Sequence, residues 1–475
     1  MTTPTPKIPW HLNGEPRPVQ IEALRRSYGK KGWGHFLEMR LGKTATLLNE
    51  FMMYREDYGL QNLLVLSPNT FKEDWGIAAD KWGLGVPWHV FDAGKIKAFD
   101  KFRRQNSTGA AVFFNYEALG SLKSAEAARS MCGDFTMIGA DESIKLKNPD
   151  SSTQKAALGL AKQCRFRRIL SGKPMTQGPY DLYGQLRFIG ECDGWKSTAF
   201  KAAFCETGGF QGKQIIGAKN EDRLHGVLDR CSFTARKIDW IDGFQKPDYS
   251  ERFISLSGDQ GHLYGQMQAE FVAELEDGKM VTAEQIITKL LKMQQIASGF
   301  IIDDDGDVHE VVPLDKNPRI QAIRAMLEEE IPGKLIVFAH YRHSLDMLLR
   351  ALEPWSPAAI RGGAKDLVEQ KRRFNEDEEC RVIVCQLDAS KYGHQLIGSE
   401  KSPALTSCFF ESTYSNDTRS QCEERNQRGD KALALTVIDF FSTQLDRNMV
   451  RALQMKEDLA ALILRYDRAT GILPR

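Results

Sequence analysis

Residues 36–44 read FLEMRLGKT: an apolar pair, a short polar turn, and then Gly42-Lys43-Thr44. A helical pattern over residues 44–54 follows at once. A strand that passes through a glycine-bearing turn into a helix presents backbone N–H groups at the positive end of the helix dipole. That arrangement suits a polyphosphate. In such a loop Lys43 reaches the β- and γ-phosphates and the Thr44 hydroxyl serves Mg²⁺. One departure stands out: Leu37 occupies the place of the first glycine in the phosphate-loop pattern.

On either side, short apolar runs alternate with amphipathic stretches. Residues 63–66 (LLVL), 111–114 (AVFF), 135–138 (FTMI) and 168–170 (RIL) are expected as buried strands, with helices over 44–54 and 70–81. This alternation predicts a largely parallel sheet with helices on both faces. Residues 205–214 are polar and glycine-rich, and 243–250 (GFQKPDYS) carry the chemistry of a connector. From about 260 to 300 the pattern is helical, with Leu263, Met267, Phe271 and Leu275 on one face. The acidic run 303–307 (DDDGD) reads as a solvated hairpin. Strands then resume at 335–338, 382–385, 408–410 and 434–438. The expected fold is α/β, in three parts: an N-terminal lobe over 1–245, a helical linker or protrusion over 246–310, and a C-terminal lobe over 311–475.

The chain has 475 residues, 42% apolar and 27% charged, enough for packed cores in two or three domains. Its 64 basic and 63 acidic residues nearly cancel. A nucleic-acid partner would therefore be met by local basic patches, not by a basic field over the whole molecule, which disfavours a passive coating protein. Nine cysteines without CxxC spacing indicate neither a disulfide framework nor a zinc site. The N-terminal residues lack an apolar signal core, and no apolar run approaches the roughly 20 residues of a membrane span. A cytoplasmic protein without a membrane partner is expected.

Two further segments carry chemistry. Asp141-Glu142 follows the apolar run 135–138, where a parallel sheet places ligands beyond its strand ends. One carboxylate can hold Mg²⁺ and the next can polarise a water, although alone the pair reads better as a polar turn. Ser171-Gly172 follows another strand. Far away, residues 421–428 (QCEERNQR) set Arg425 and Arg428 at i and i+3, hence on one helix face. As arginine fingers they would stabilise transferring phosphate by about 10³–10⁵ in rate. In isolation they are a solvated basic face.

In their order these segments resemble the Swi/Snf-type branch of helicase superfamily two, from about Arg17 to Lys456. RPVQIEAL at 17–24 resembles the adenine-reading Q motif, and EMRLGKT resembles EMGLGKT with Arg40 in place of a glycine. LVLSPNTFKEDW at 64–75 is similar to motif Ia, FFNYEAL at 113–119 to motif Ib, DESIKLKNPDS at 141–151 to motif II and ILSGKPMTQGPYDLY at 169–183 to motif III. KLIVFAHY at 334–341, VCQLDASKYGHQL at 384–396 and QCEERNQRGD at 421–430 are similar to motifs IV, V and VI. Lys173 replaces a usual threonine, and Ser390-Lys391 a glycine pair.

The resemblance implies two tandem RecA-like lobes that close on ATP and Mg²⁺ while gripping double-stranded DNA. It implies nucleotide binding by Arg17, Gln20, Arg40, Leu41, Gly42, Lys43, Thr44 and Gly393. Thr44 and Asp141 would serve the metal, and Lys43, Asp141, Glu142, Gln421, Arg425 and Arg428 the catalysis. Asn69, Thr70, Tyr116, Lys145, His340, Arg342, Arg361 and Gly362 would line the nucleic-acid track, with Ser171 and Gly172 coupling the two. The motifs occupy most of the chain, so no appended chromatin-reading, nuclease or zinc module is expected. A strand-separating helicase, an ATPase subunit of a restriction or nuclease complex, or a non-catalytic scaffold with an unknown protein partner are the alternatives.

Overall fold

The computed structural model describes residues 8–447, other than 70, 177, 209–213, 257, 277–282, 365, 391–394, 414, 428–431 and 444–446. The chain forms two compact units, the first running to Gly243 and the second beginning at Phe244.

In the first unit, β1 (Gly32–Leu37), β2 (Asn62–Ser67), β3 (Trp88–Val90), β4 (Ala111–Asn115), β5 (Thr136–Asp141) and β6 (Phe166–Leu170) come in chain order. A short antiparallel pair, β7 (Cys205–Gly208) and β8 (Gln214–Ala218), precedes β9 (Ser232–Ala235). The main sheet is seven-stranded in the order β3-β4-β2-β5-β6-β1-β9, and every pairing in it is parallel. Crossover helices cover both faces, which is why Leu63, Leu64, Val65 and Leu66 are all fully buried. One face packs Leu64, Phe114, Ile138 and Ile169 against Leu182 and Leu186. The other packs Leu63, Val65, Met137 and Leu170 against Leu47, Leu48 and Phe51.

Phe135 departs from expectation: it is 52% exposed, and β5 starts one residue later and continues through Asp141. The acidic residue is thus the last of the strand, not part of a following turn.

The second unit contains β10 (Asp248–Phe253), a hairpin of β11 (Phe300–Ile302) and β12 (Val308–Glu310), then β13 (Leu335–Ala339), β14 (Ala358–Ile360), β15 (Val382–Gln386), β16 (Thr406–Phe409) and β17 (Thr436–Phe441). Its six-stranded sheet, β10-β17-β16-β13-β15-β14, is again all parallel. The expected connector is therefore in part an edge strand, since Asp248 to Phe253 pair with Thr436 to Phe441. As an edge strand β10 stays largely exposed and carries Asp248, Glu251 and Arg252, so it lacks the apolar run by which central strands are read.

Helices Gly258–Glu276 and Ala283–Ser298 form the expected helical segment. Leu263 and Met267 pack against Tyr264, Met293 and Ile296, while the side chains of Phe271 and Leu275 lie outside the described residues. The nine cysteines are free thiols. Among the described residues no helix is long and apolar enough to cross a membrane.

Candidate functional site

Because the first sheet is parallel throughout, the residues that follow β1, β2, β4, β5 and β6 all emerge at one edge. That edge collects the phosphate-loop segment, Asn69, Tyr116, Asp141-Glu142 and Ser171-Gly172.

Two left-handed residues shape the loop after β1: Arg40 at φ 72° and Gly42 at φ 95°. Arg40 thus holds, with a Cβ, the conformation that a glycine adopts without strain. The helix Lys43–Tyr58 starts directly behind them. The Gly42 carbonyl accepts from Gln20 Nε2 at 3.2 Å and from Thr46 Oγ1 at 3.0 Å. Gln20 Oε1 in turn accepts the Arg17 backbone N–H at 2.8 Å, and the Arg17 guanidinium donates to the Arg40 carbonyl. The buried Gln20 amide, expected to read a base, is here engaged in bracing the loop backbone.

A Cβ on Gly42 would stand 2.4 Å from Gln20 Nε2 in a conformation that L side chains avoid. Gly42→Ala should therefore cost about 1–3 kcal/mol locally. Equilibrium nucleotide binding should show this as a loss of ATP affinity of roughly tenfold or more.

Lys43 Nζ donates to the Leu37 carbonyl at 3.2 Å. A Cβ on Gly172 would come within 3.4 Å of the same ammonium and 3.3 Å of Met39 N, so glycine keeps this space clear. Half-buried Thr44 opens the helix beside it. An ammonium, a hydroxyl, a carboxylate and a helix N-terminus around a glycine-cleared cradle fit a magnesium polyphosphate.

The Asp141 carboxylate accepts from Trp75 Nε1 through Oδ2 and from Glu142 N through Oδ1, both at 3.0 Å. Burial pushes this carboxyl above the usual range, against the pull of the Lys43 ammonium and of those two N–H donors. Glu142 is left-handed at φ 46°, and the backbone then enters a 3₁₀ turn, Ser143–Leu146. Ser143 Oγ donates to Gln185 Oε1 at 2.7 Å, and Gln185 Nε2 donates to the Pro174 carbonyl at 2.6 Å. Gln185 thereby ties the acidic turn to the segment after Ser171-Gly172. Ser171 itself accepts from Lys173 N at 3.1 Å.

Tyr116 is a correction. It was expected on the nucleic-acid track, but it is buried, and its hydroxyl donates to the Asp141 carbonyl at 2.7 Å. Its work is to hold the acidic turn. Asn69 and Lys145 are exposed at this edge, and Thr70 lies outside the described residues.

The second sheet repeats the logic. His340, Arg361 and Gly362 follow the ends of β13 and β14, which flank β15. Gln386 at the end of β15 accepts the Gly362 N–H at 3.1 Å. Exposed Arg361 pairs with Asp346 at 3.4 Å, and Arg342 is exposed. Fully buried Glu411 accepts the N–H groups of His340 at 2.6 Å and Tyr341 at 3.2 Å, together with the Ser344 hydroxyl. It thereby caps the helix Arg342–Ala351 with negative charge.

The shared helix face for Arg425 and Arg428 is also corrected. The helix Asn416–Glu423 ends before either residue. Arg425 sits in the turn that follows, fully buried, with Nε donating to the Gln421 carbonyl at 2.5 Å. The turn is fastened by Leu396 N, which donates to the Arg425 carbonyl at 2.9 Å. Arg428 and Gly393 lie outside the described residues. Trp75, Gln185 and Glu411 were not among the expected site residues. Only Trp75 had a signal, as the last residue of the segment similar to motif Ia.

Residues 35–299 match the model of the SNF2-related domain. Putative protein p41 of Acyrthosiphon pisum secondary endosymbiont phage 1 is 27% identical over 358 residues, which cover 71% of this chain and 74% of the relative. The SWI/SNF-related matrix-associated actin-dependent regulator of chromatin subfamily A-like protein 1 of Xenopus laevis is 24% identical over 375 residues, 76% of this chain but only 35% of that protein. A solved Sulfolobus solfataricus SWI2/SNF2 ATPase core in complex with dsDNA aligns over 95% of this chain and 93% of its own, at 17% identity and a TM-score of 0.43. The family match spans more than half of the chain, which belongs to the SNF2-related family, in the Swi/Snf-type branch of the superfamily two ATPases.

Proposed function

We propose that this chain is an ATP-driven motor that moves along double-stranded DNA, displacing bound proteins or remodelling branched junctions. The observation that carries the reading is the convergence of Lys43, Thr44, Asp141, Glu142 and Gly172 at the same sheet edge as exposed Asn69 and Lys145. A fuel site and a backbone-facing surface share one rigid support.

Lys43 and the N–H groups that open its helix bind the β- and γ-phosphates, while Arg17 and Gln20 brace the loop that carries them. Thr44 and Asp141 would hold Mg²⁺, which would supply charge neutralisation to the transferring phosphate. Glu142 orients the attacking water and takes its proton. Arg425 and Arg428 supply positive charge during transfer and Gln421 a neutral amide donor, and for buried Arg425 this requires its turn to rearrange. Asn69 and Lys145 in the first unit, and His340, Arg342, Arg361 and Gly362 in the second, contact the phosphate backbone without reading sequence. The setting is the cytoplasm of a bacterial or phage-infected cell, a reading supported by the phage relative.

The test is the steady-state ATPase rate without nucleic acid and with single-stranded DNA, duplex DNA or RNA, at several salt concentrations. Duplex DNA should stimulate best, regardless of sequence, and the stimulation should fall steeply as salt rises. An ATPase indifferent to all of them sinks the motor. Best stimulation by single strands or RNA sinks the duplex track.

A further inference from the structure

Trp75 is almost completely buried, at 2% exposure, yet its one polar atom does not end on an arbitrary core acceptor. The indole Nε1 donates to Asp141 Oδ2 at 3.0 Å, across 66 residues of sequence. The other carboxylate oxygen takes the Glu142 N–H, so among the described residues the indole is the only side-chain donor to this carboxylate.

The indole is also joined through the backbone to the segment that carries exposed Asn69. Phe71 N donates to the Pro68 carbonyl at 2.9 Å, and Trp75 N donates to the Phe71 carbonyl at 3.3 Å. Trp75 is therefore one helical turn beyond the loop that presents Asn69, on the helix Lys72–Lys81. That helix cannot pivot on its own. A Cβ on Gly76 would meet Trp88 at 2.8 Å and Val90 at 3.0 Å, so the helix lies flush on β3. The Trp75 ring also packs against Phe113 of β4, with centroids 5.8 Å apart. A displacement of the turn must reach the indole, because a packed element shifts as a unit.

We propose that Trp75 is a positioning residue through which nucleic acid seated at Asn69 sets the orientation of the Asp141 carboxylate. The inference rests on the motor reading and deepens it by naming a route from track to fuel site. A purely space-filling indole would be insensitive to DNA.

The experiment uses the full chain labelled with 5-fluorotryptophan, whose eight tryptophans give eight fluorine NMR signals. The Trp75 signal is the one missing from Trp75→Phe. Asp141→Asn, which must displace the same signal, secures the assignment should Trp75→Phe not fold. Duplex DNA added without nucleotide should move the Trp75 signal. In the ATPase assay Trp75→Phe should bind DNA normally yet lose about tenfold in DNA-stimulated kcat, with KM for ATP little changed, as expected for loss of a hydrogen bond to a charged group. A DNA-stimulated wild type whose Trp75 signal stays fixed at saturating DNA overturns this proposal and leaves the motor standing. A wild type that no nucleic acid stimulates overturns the motor reading itself.

Discussion

Glu142→Gln should lower ATP turnover by about 10²–10⁴-fold while leaving ATP binding nearly intact. Glu142 follows directly on the last residue of β5, with a left-handed backbone. Glutamine has the same size and the same tolerance of that backbone, but it cannot take a proton from water. Two braces beside it do not use its carboxylate: Asp141 accepts the Glu142 backbone N–H, and Ser143 is held by Gln185. Binding should thus survive and chemistry should not. Single-turnover hydrolysis alongside equilibrium nucleotide binding checks both halves. A variant that hydrolyses at near wild-type rate would remove Glu142 from the chemistry. One that no longer binds nucleotide would show that its carboxylate shapes the loop instead.

What the sequence shows and what it hides follow from where each interaction is satisfied. Strands β2, β4 and β13 are continuous apolar runs because helices cover both their faces, and such runs are visible without any partner. Strand β1 is largely hidden because its first four residues are Gly-Trp-Gly-His. A Cβ on Gly32 would fall 2.0 Å from the Ile189 carbonyl, so a neighbouring helix sets that residue. Strand β10 is hidden by its exposure at the sheet edge. In the site, the Gly-Lys-Thr turn and the acidic pair are local patterns and were readable. Trp75, Gln185 and Glu411 act through partners 66, 42 and 71 residues away, which no local pattern records. Tyr116 and Arg425 were misplaced for a related reason. Both lie in segments that resemble functional motifs, but burial turns their polar atoms inward onto backbone carbonyls.

The most hidden of these long-range pairings carries the largest expected stability effect. Arg168 was expected simply as part of an apolar strand, yet it is fully buried and grips Glu50 through Nε at 2.9 Å and Nη2 at 2.8 Å. Nη2 also donates to the Tyr54 hydroxyl at 3.1 Å, and His35 Nε2 lies 3.0 Å from the same carboxylate. The network joins β1, β6 and the helix that opens with Lys43, so it holds the strand and the helix on either side of the nucleotide loop. Burial alone would push Glu50 up, but the Arg168 charge and the His35 contact overcome it and hold this carboxyl well below its ordinary range. A depressed folded value means that the pair's stabilisation is present above the unfolded carboxylate range. It is lost only as pH falls through the lower folded value, so ordinary mildly acid buffers should not release it. Arg168→Leu strands a buried carboxylate and should cost about 3–5 kcal/mol, with a matching loss of nucleotide binding as the loop loosens. Adding Glu50→Gln removes the stranded charge while keeping a hydrogen-bonding partner for His35, and should recover most of that loss. Denaturant unfolding of the single and double variants decides the matter. A single variant within about 1 kcal/mol of wild type, or a double variant no more stable than the single, would mean that the buried pair does not hold the loop's two supports together.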